Sequence, residues 1–199
     1  MTPTPPRNTP SSPTPATPPT RSALAALHKG SKLTIEGLGK RSLQGDVGFA
    51  DVLQQMGAGL VFGQDFITVM GTGELRGIDV DLANMPDTAQ TLAVVALFAD
   101  GPTTIHGLHT LRVKETDRLA ALQNELTKLG AEVDIDGDTL HIEPPEKLKV
   151  ASIDTYDDHR MAMSFALAGT KTAGVTINDP ACVNKTYPHY FQDLESFRE

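Results

Sequence analysis

The chain has 199 residues, which is enough for one sizeable hydrophobic core, and 39% hydrophobic with 21% charged residues is typical of a soluble domain. The formal net charge of −8 argues against nucleic acid as a partner, so any cationic cluster must be local. The single Cys182 excludes an intramolecular disulfide and favours a reducing, cytoplasmic location, and the longest apolar run, at 92–99, is too short to cross a membrane.

The first 22 residues form a low-complexity head rich in proline, threonine and serine. Eight of the 14 prolines of the chain lie in it, and it contains no acidic residue, since the first one in the chain is Glu36. A segment of this composition has few apolar side chains to bury, so it cannot offset the entropy lost on ordering. We therefore expect residues 1–22 to be disordered and residues 23–199 to form one folded domain.

Beyond the head, three stretches of the chain predict the same order of elements. Each begins with a short strand, a charged loop and a helix, and the first two continue with a hairpin and a second helix. This order predicts an α/β domain whose helices bury apolar stripes against sheets. In chain order, the predicted elements are a strand at 32–35, a helix at 46–56, a hairpin at 59–61 and 67–69, a helix at 86–98, a strand at 103–105, a helix at 115–129, a hairpin at 132–135 and 139–142, a helix at 159–168, a strand at 175–177 and a helix at 188–197.

The residues themselves also repeat. The dipeptide Thr-Ile recurs at 34–35, 104–105 and 176–177, with offsets of 70 and 72 residues. Three further matches between similar segments or residues have separations of 73, 71 and 71 residues, and one of them relates Asp87 to Asp158. The pattern predicts three repeated β/α units of about 71 residues, the third truncated at the C-terminus. Such repetition would bring equivalent helix starts to one end of the domain.

A charged stretch, RVKETDR at 112–118, precedes the apolar spacing of the helix predicted at 115–129. The N-terminus of a helix attracts anions through its free N–H groups and its dipole. Lys114 and Arg118 would strengthen such an anion site, and Glu115 would place an acid or base beside it. The alternative is a charged first turn that only faces solvent.

Together with four other motifs, this stretch resembles the 5-enolpyruvylshikimate-3-phosphate synthase family. The resemblance runs from about Ala23 to the last residue and implies an inverse α/β prism, in which each of two domains holds three β/α units. It also implies transfer of the enolpyruvyl group of phosphoenolpyruvate to the 5-hydroxyl of shikimate 3-phosphate, a step of aromatic amino acid biosynthesis that needs no metal or redox cofactor. The motifs are SLQGD at 42–46, MPDTA at 85–89, RVKETDR at 112–118, DDHRMAM at 157–163 and NKTYP at 184–188.

The resemblance implies that two carboxylates handle protons. Asp87 matches the base for the 5-hydroxyl, although after Pro86 at a helix start it could instead be a cap. Glu115 matches the residue that delivers a proton to the methylene carbon, a role that requires the carboxyl to be partly protonated near neutral pH.

The same resemblance implies a set of cations around these carboxylates. The planar forks of Arg118 and Arg160 suit the substrate carboxylate in two-point contacts. Lys114 would bind phosphate as a point charge, and Lys185 would stabilise the charge that develops as phosphate leaves, which makes it part of the catalytic set. His159 would bind an anion or assist proton movement, or it could be structural. The other histidines show no metal-ligand spacing.

Members of the family have two domains, with the active site in the cleft between them. The resemblance therefore implies that this chain carries half of the site and needs a complementary N-terminal domain. Thr110 stands where relatives commonly have an asparagine that contacts shikimate 3-phosphate, and Arg112 could be an ion-pair partner or a substrate contact. Two other functions compete. One is a non-catalytic anion-binding or regulatory module, and the other is transfer to a UDP-sugar, which the KETDR motif argues against.

Overall fold

The computed structural model describes residues 18–37 and 45–197. Aspartates cap two of the helices in this part of the chain. Asp117 accepts from the Ala120 N–H and Asp158 from the Arg160 N–H, as expected for side chains that satisfy free N–H groups at a helix start. The helices are α1 (Pro18–Leu27), α2 (Gly45–Gln55), α3 (Ala89–Ala96), α4 (Arg118–Lys128), α5 (His159–Lys171) and α6 (Tyr190–Ser196).

The strands of the described residues form three sheets. Most strands alternate between more exposed and less exposed side chains, the pattern of a sheet with one face on the core. The strands are β1 (Lys32–Glu36), β2 (Gly59–Phe62), β3 (Phe66–Met70), β4 (Asp79–Asp81), β5 (Thr103–His106), β6 (Glu132–Asp136), β7 (Thr139–Glu143), β8 (Ala151–Ile153) and β9 (Val175–Ile177).

The two larger sheets contain the same antiparallel arrangement. The first has the order β1-β3-β2, and the second has the order β4-β5-β7-β6, so that β5, β7 and β6 pair as β1, β3 and β2 do. In the second sheet β4 runs parallel to β5, and the third sheet consists of β8 parallel to β9. The parallel pairs β4–β5 and β8–β9 therefore hold successive parts of the chain side by side.

The centre of the core is helical. All eight residues of α3 are buried, and α3 packs against α5, while α1 packs against both. The sheets contribute their apolar faces from outside, as Leu140 and Ile142 of β7 do. The chain is an α/β domain, as the order of elements predicts.

Helix α1 begins at Pro18, so it includes the last five residues of the head for which disorder is predicted. Proline is tolerated in the first turn of a helix, where its missing N–H would have no partner. Arg21 also fixes this turn by donating to the Tyr187 hydroxyl over 2.7 Å. Residues 1–17 lie outside the described part of the chain, as do three residues of the motif at 42–46.

Two predicted helix starts that concern candidate site residues differ from the structure by three residues each. The helix predicted at 115–129 begins at Arg118, so Glu115 lies, with Lys114, in the loop before α4 instead of in the first turn of the helix. The helix predicted at 86–98 begins with a 3₁₀ turn, Pro86–Thr88, that carries Asp87. Both acidic candidates therefore project from tight loop segments.

Candidate active site

Arg118, the first residue of α4, is the centre of the candidate site. Its side chain is only 1% exposed, yet it binds three carboxylates. Nε donates to Asp158 Oδ2 over 2.6 Å and Nη2 to Oδ1 over 3.3 Å. Nη1 donates to Asp87 Oδ1 over 3.0 Å and Nη2 to Glu115 Oε2 over 2.7 Å. One guanidinium thus joins three loops.

Asp158 forms the floor of the site. It is fully buried, caps α5 and forms a two-point ion pair with Arg118. Two buried charges are stable together only when each has a full set of partners, because desolvating either one alone costs several kcal/mol, an order-of-magnitude value. The Arg118–Asp158 pair therefore fixes the start of α4 against the start of α5.

Asp87 lies among three cations. Its carboxylate oxygens are 3.0 Å from Arg118 Nη1, 3.3 Å from Lys114 Nζ and 3.4 Å from Arg160 Nη2. Burial alone would raise the pKa of Asp87, but Arg160, Lys114 and Arg118 together outweigh it and hold this pKa below its ordinary value. Asp87 is therefore a firmly ionised carboxylate in the absence of other anions.

The rim of the site is open to solvent, in contrast to its floor. The Asp87 and Glu115 side chains are 41% and 39% exposed, and those of Lys114 and Arg160 are 33% and 32% exposed. Two carboxylates and two cations can therefore reach a ligand. Such a rim can bind anions and exchange protons with the same molecule.

Lys185 and His159 lie beside this cluster. Lys185 Nζ donates to the Asp157 carbonyl over 2.9 Å, which connects it to the cluster through the backbone next to Asp158. His159 Nδ1 is 4.0 Å from Asp158 Oδ1 and has no hydrogen-bond partner within the described residues. Burial lowers the pKa of His159 below its ordinary value, so the ring is mainly neutral at neutral pH.

The structure thus connects five of the seven predicted site residues by direct contacts, and it places His159 next to Asp158 and Lys185 next to Asp157. Their chemical roles stay predictions. Arg118 differs most from expectation, because its donors face protein carboxylates and not an open anion site. Its burial could not be seen in the sequence, since arginine is seldom fully buried.

Sequence reasoning assigned no role to Asp158. Two signals in the sequence could have found it, namely an aspartate directly before a helix and its offset from Asp87 by one repeat length. Arg112 is an ion-pair partner, 3.4 Å from Asp117, and it also donates to the Gly137 carbonyl. The Thr110 hydroxyl is buried without a hydrogen-bond partner in the described part of the chain.

Neither a metal site nor a membrane segment is evident in the described residues. They contain no group of three or more His, Cys, Asp or Glu side chains placed to hold a metal ion. None of their helices is long and apolar enough to cross a membrane.

Comparison with known proteins identifies the family. The family model of EPSP synthase (3-phosphoshikimate 1-carboxyvinyltransferase) matches residues 20–194. The 3-phosphoshikimate 1-carboxyvinyltransferase of Serratia proteamaculans (strain 568) is 55% identical over 170 residues, which are 85% of this chain and 40% of that protein. The protein of the same name from Nicotiana tabacum, numbered 2, is 54% identical over 175 residues, which are 84% of this chain and 52% of that protein.

Solved structures agree in fold. An EPSP synthase from Acinetobacter baumannii aligns with a TM-score of 0.79 and 27% identity over 89% of this chain and 44% of that chain. The enolpyruvyl transferase NikO from Streptomyces tendae shares the fold, with a TM-score of 0.69 and 23% identity over 89% of this chain and 41% of that chain. The chain belongs to the EPSP synthase family. It spans about half or less of the length of these relatives.

Proposed function

We propose that this chain contributes to the transfer of the enolpyruvyl group from phosphoenolpyruvate to the 5-hydroxyl of shikimate 3-phosphate, with release of phosphate. The observation that carries the proposal is the rim of the site, where Asp87 and Glu115 share the buried Arg118 and lie beside Lys114 and Arg160. The reaction needs a base, an acid and several cations, and this rim offers all three. The enzymatic names of the relatives support the same assignment.

Both substrates are anions, and the cations of the site would bind them. Arg160 and Lys114 project to solvent and would contact the phosphoenolpyruvate carboxylate and phosphate. Lys185, whose side chain is 45% exposed, would stabilise the phosphate as it leaves. Arg118 would act on the substrate carboxylate only if a rim carboxylate gave up its place on the guanidinium. His159 would contact an anion from the floor of the site.

Proton transfer follows from the chemistry of the two substrates. A proton from Glu115 on the methylene carbon makes the neighbouring carbon electrophilic. The 5-hydroxyl oxygen then bonds to that carbon while Asp87 takes the hydroxyl proton. Loss of a proton from the new methyl group and departure of phosphate restore the double bond, now on the product.

The electrostatics of Asp87 couple substrate binding to basicity. Its cationic neighbours hold its pKa low in the free chain, which weakens it as a base. Anionic substrates on Lys114 and Arg160 would neutralise those cations, and the remaining burial would raise the pKa of Asp87. Asp87 would thus become a better base only when the substrates are bound.

The proposal extends to architecture and location. We propose that the chain consists of three β/α units of an inverse α/β prism. The shared strand order of the two larger sheets supports repetition, and the buried helices at the centre support the prism. The proposed location is cytoplasmic, supported by the buried free thiol of Cys182, which suits a reducing compartment.

A complementary N-terminal domain is also part of the proposal, because the relatives are about twice as long as the matched region or longer. The test mixes this chain with the separately expressed N-terminal domain of the Serratia relative and measures phosphate release from phosphoenolpyruvate and shikimate 3-phosphate. Turnover should require both polypeptides, and co-elution in size-exclusion chromatography verifies assembly.

A chain in which Asp87→Asn and Glu115→Gln are combined is the matched control, because it keeps the size of both side chains. Turnover in the mixture and none with this control supports the proposal. An assembled mixture that binds phosphoenolpyruvate without releasing phosphate would instead indicate a non-catalytic anion-binding module.

A further inference from the structure

A second buried ionic cluster lies two turns along α4 from Arg118. The Glu125 side chain is fully buried, and both of its oxygens accept from Lys128 Nζ, over 2.9 and 2.8 Å. Glu125 Oε1 also accepts from the Tyr156 hydroxyl over 2.7 Å, and Oε2 from the Asp154 N–H over 3.1 Å. No role assigned above involves any of these groups.

Tyr156 and the next residue, Asp157, have an unusual backbone. Their φ angles are +55° and +54°, a left-handed region that side-chain-bearing residues seldom adopt. The Asp158 N–H donates to the Thr155 carbonyl over 2.9 Å and closes a turn around them. Two successive positive φ angles are typical of a type I′ turn, which usually carries asparagine and glycine. Bulkier residues keep this conformation only when their surroundings hold them in it.

The turn at 155–158 leads directly into the active-site floor. Asp158 is the last residue of the turn and forms the two-point ion pair with Arg118. The carbonyl of Asp157, within the turn, accepts from Lys185 Nζ. A shift of this turn would therefore move the partners of two predicted site residues at once.

The strands that lead to the turn are braced by the same cluster. Lys128 Nζ donates to Asp154 Oδ2 over 2.7 Å, and Asn178 Nδ2 donates to Asp154 Oδ1 over 2.7 Å. Asn178 in turn accepts from the Ser152 hydroxyl over 2.7 Å. The ends of β8 and β9 are thus tied to α4, and Tyr156 is the cluster member within the turn itself.

We propose that Glu125 is a positioning residue, which holds the strained turn through the Tyr156 hydroxyl and so sets Asp158 beneath Arg118 and the Asp157 carbonyl beside Lys185. Glu125 contacts no substrate. The inference rests on the proposed function only where it assigns a catalytic use to the site that Glu125 positions. The geometric claim can be tested on the chain alone.

The test is the solvent-exchange rate of the Arg118 Nε–H proton, measured by ¹⁵N NMR on the 199-residue chain well below the unfolding temperature. This proton lies in the 2.6 Å bond to Asp158, so its exchange reports whether Asp158 stays in place. Tyr156→Phe removes only the hydroxyl that Glu125 holds. The matched control is Tyr190→Phe, which removes a buried hydroxyl that donates to the Met163 carbonyl over 2.7 Å.

We expect Tyr156→Phe to raise the exchange rate about threefold to tenfold, a part of the roughly 10- to 150-fold expected for loss of a hydrogen bond to a charged group. Glu125→Gln should raise it further, while Tyr190→Phe should lower thermal stability without raising the exchange rate. Equal exchange rates in Tyr156→Phe and Tyr190→Phe would overturn the proposal and leave Glu125 a purely stabilising residue. If Glu125→Gln fails to fold, the Tyr156→Phe comparison still decides. Absence of turnover in the mixed enzyme would contradict the proposed function but would not alter this result.

Discussion

Helix α4 buries a cation at its first residue and an anion two turns later, and the two surroundings differ. Arg118 and Glu125 are seven residues apart and lie on one face of the helix. Arg118 holds three carboxylates, of which Asp87 and Glu115 reach solvent. Glu125 holds Lys128, the Tyr156 hydroxyl and a backbone N–H, and its own side chain is fully buried.

The difference shows how an ionic cluster becomes a site. Both clusters satisfy a buried charge, which folding requires. Both clusters have partly exposed outer members, but those around Arg118 are two carboxylates and two cations on the rim of the site, so a ligand anion can replace one of the carboxylates. Around Glu125 the hydrogen bonds link α4 to the ends of β8 and β9. We infer that the first cluster does chemistry and that the second holds it in place.

The largest effect expected is on turnover. In the mixed enzyme, Asp87→Asn and Glu115→Gln should each lower kcat by about 10²- to 10⁴-fold, because an amide keeps the shape of the side chain but cannot transfer the proton. Phosphoenolpyruvate should still bind. Steady-state kinetics with a binding titration measure both quantities, and Glu143→Gln on the exposed face of β7 is the control. Near-normal kcat in both amide variants would mean that the two carboxylates only serve the fold.

Stability should respond most strongly at the floor of the Arg118 cluster. Arg118→Met leaves Asp158 buried without its cation, so we expect a loss of about 3–5 kcal/mol in the free energy of unfolding. Lys128→Met should cost less, about 1.5–3 kcal/mol, because Glu125 keeps the Tyr156 hydroxyl and the Asp154 N–H. Urea unfolding of both variants checks the order, and a reversed order would contradict the assignment of Arg118 as the organising residue.

Substrate affinity should respond to the rim. Arg160→Ala should raise the KM for phosphoenolpyruvate about 10- to 150-fold, which corresponds to the loss of a charge-assisted hydrogen bond. Arg112→Ala is the matched control, because Arg112 is occupied by Asp117 and the Gly137 carbonyl. If the two variants raise KM equally, Arg160 is no more a substrate contact than Arg112.

A smaller effect should appear in the pH dependence of stability. Burial, with Arg160 adding to it, lowers the pKa of His159 below its ordinary value of 6.5, although Asp158 opposes the shift. The unfolded chain therefore takes up this proton at higher pH than the folded chain, so the free energy of unfolding should decrease as pH falls below about 6.5. His159→Asn should flatten the dependence of Tm on pH between 8 and 5.5, and His189→Asn should not. Equal slopes of Tm against pH in the unchanged chain, His159→Asn and His189→Asn would show that His159 does not cause the pH dependence.

The sequence predicts much of the fold because its signals are local. The hairpin of β6 and β7 and the helix α5 follow from apolar spacing and turn residues close to the predicted bounds. The three-residue strands β4 and β8 were not predicted, since they are defined by parallel pairing with β5 and β9, more than 20 residues away along the chain. The start of α1 at Pro18 was also missed, because the proline-rich composition before it dominates the pattern.

For the site, the sequence predicts which residues gather but not how they share their charges. The repeat and the family motifs bring Asp87, Glu115 and the cations to one place. The burial of Arg118 and its bond to Asp158 depend on packing between α4 and the start of α5, which no local pattern encodes. The lowered pKa of Asp87 has the same origin, because its cations come from the loop before α4 and from the first turns of α4 and α5.

The most direct measurement is the uptake of solvent deuterium into the methylene group of phosphoenolpyruvate by the mixed enzyme, with shikimate 3-phosphate present in heavy water. If Glu115 delivers the proton and Asp87 serves the hydroxyl, mass spectrometry should find deuterium in recovered phosphoenolpyruvate with the wild-type chain. Glu115→Gln should abolish this uptake, and Asp87→Asn should retain part of it. Full deuterium uptake by Glu115→Gln would contradict the account, since another group would then protonate the carbon.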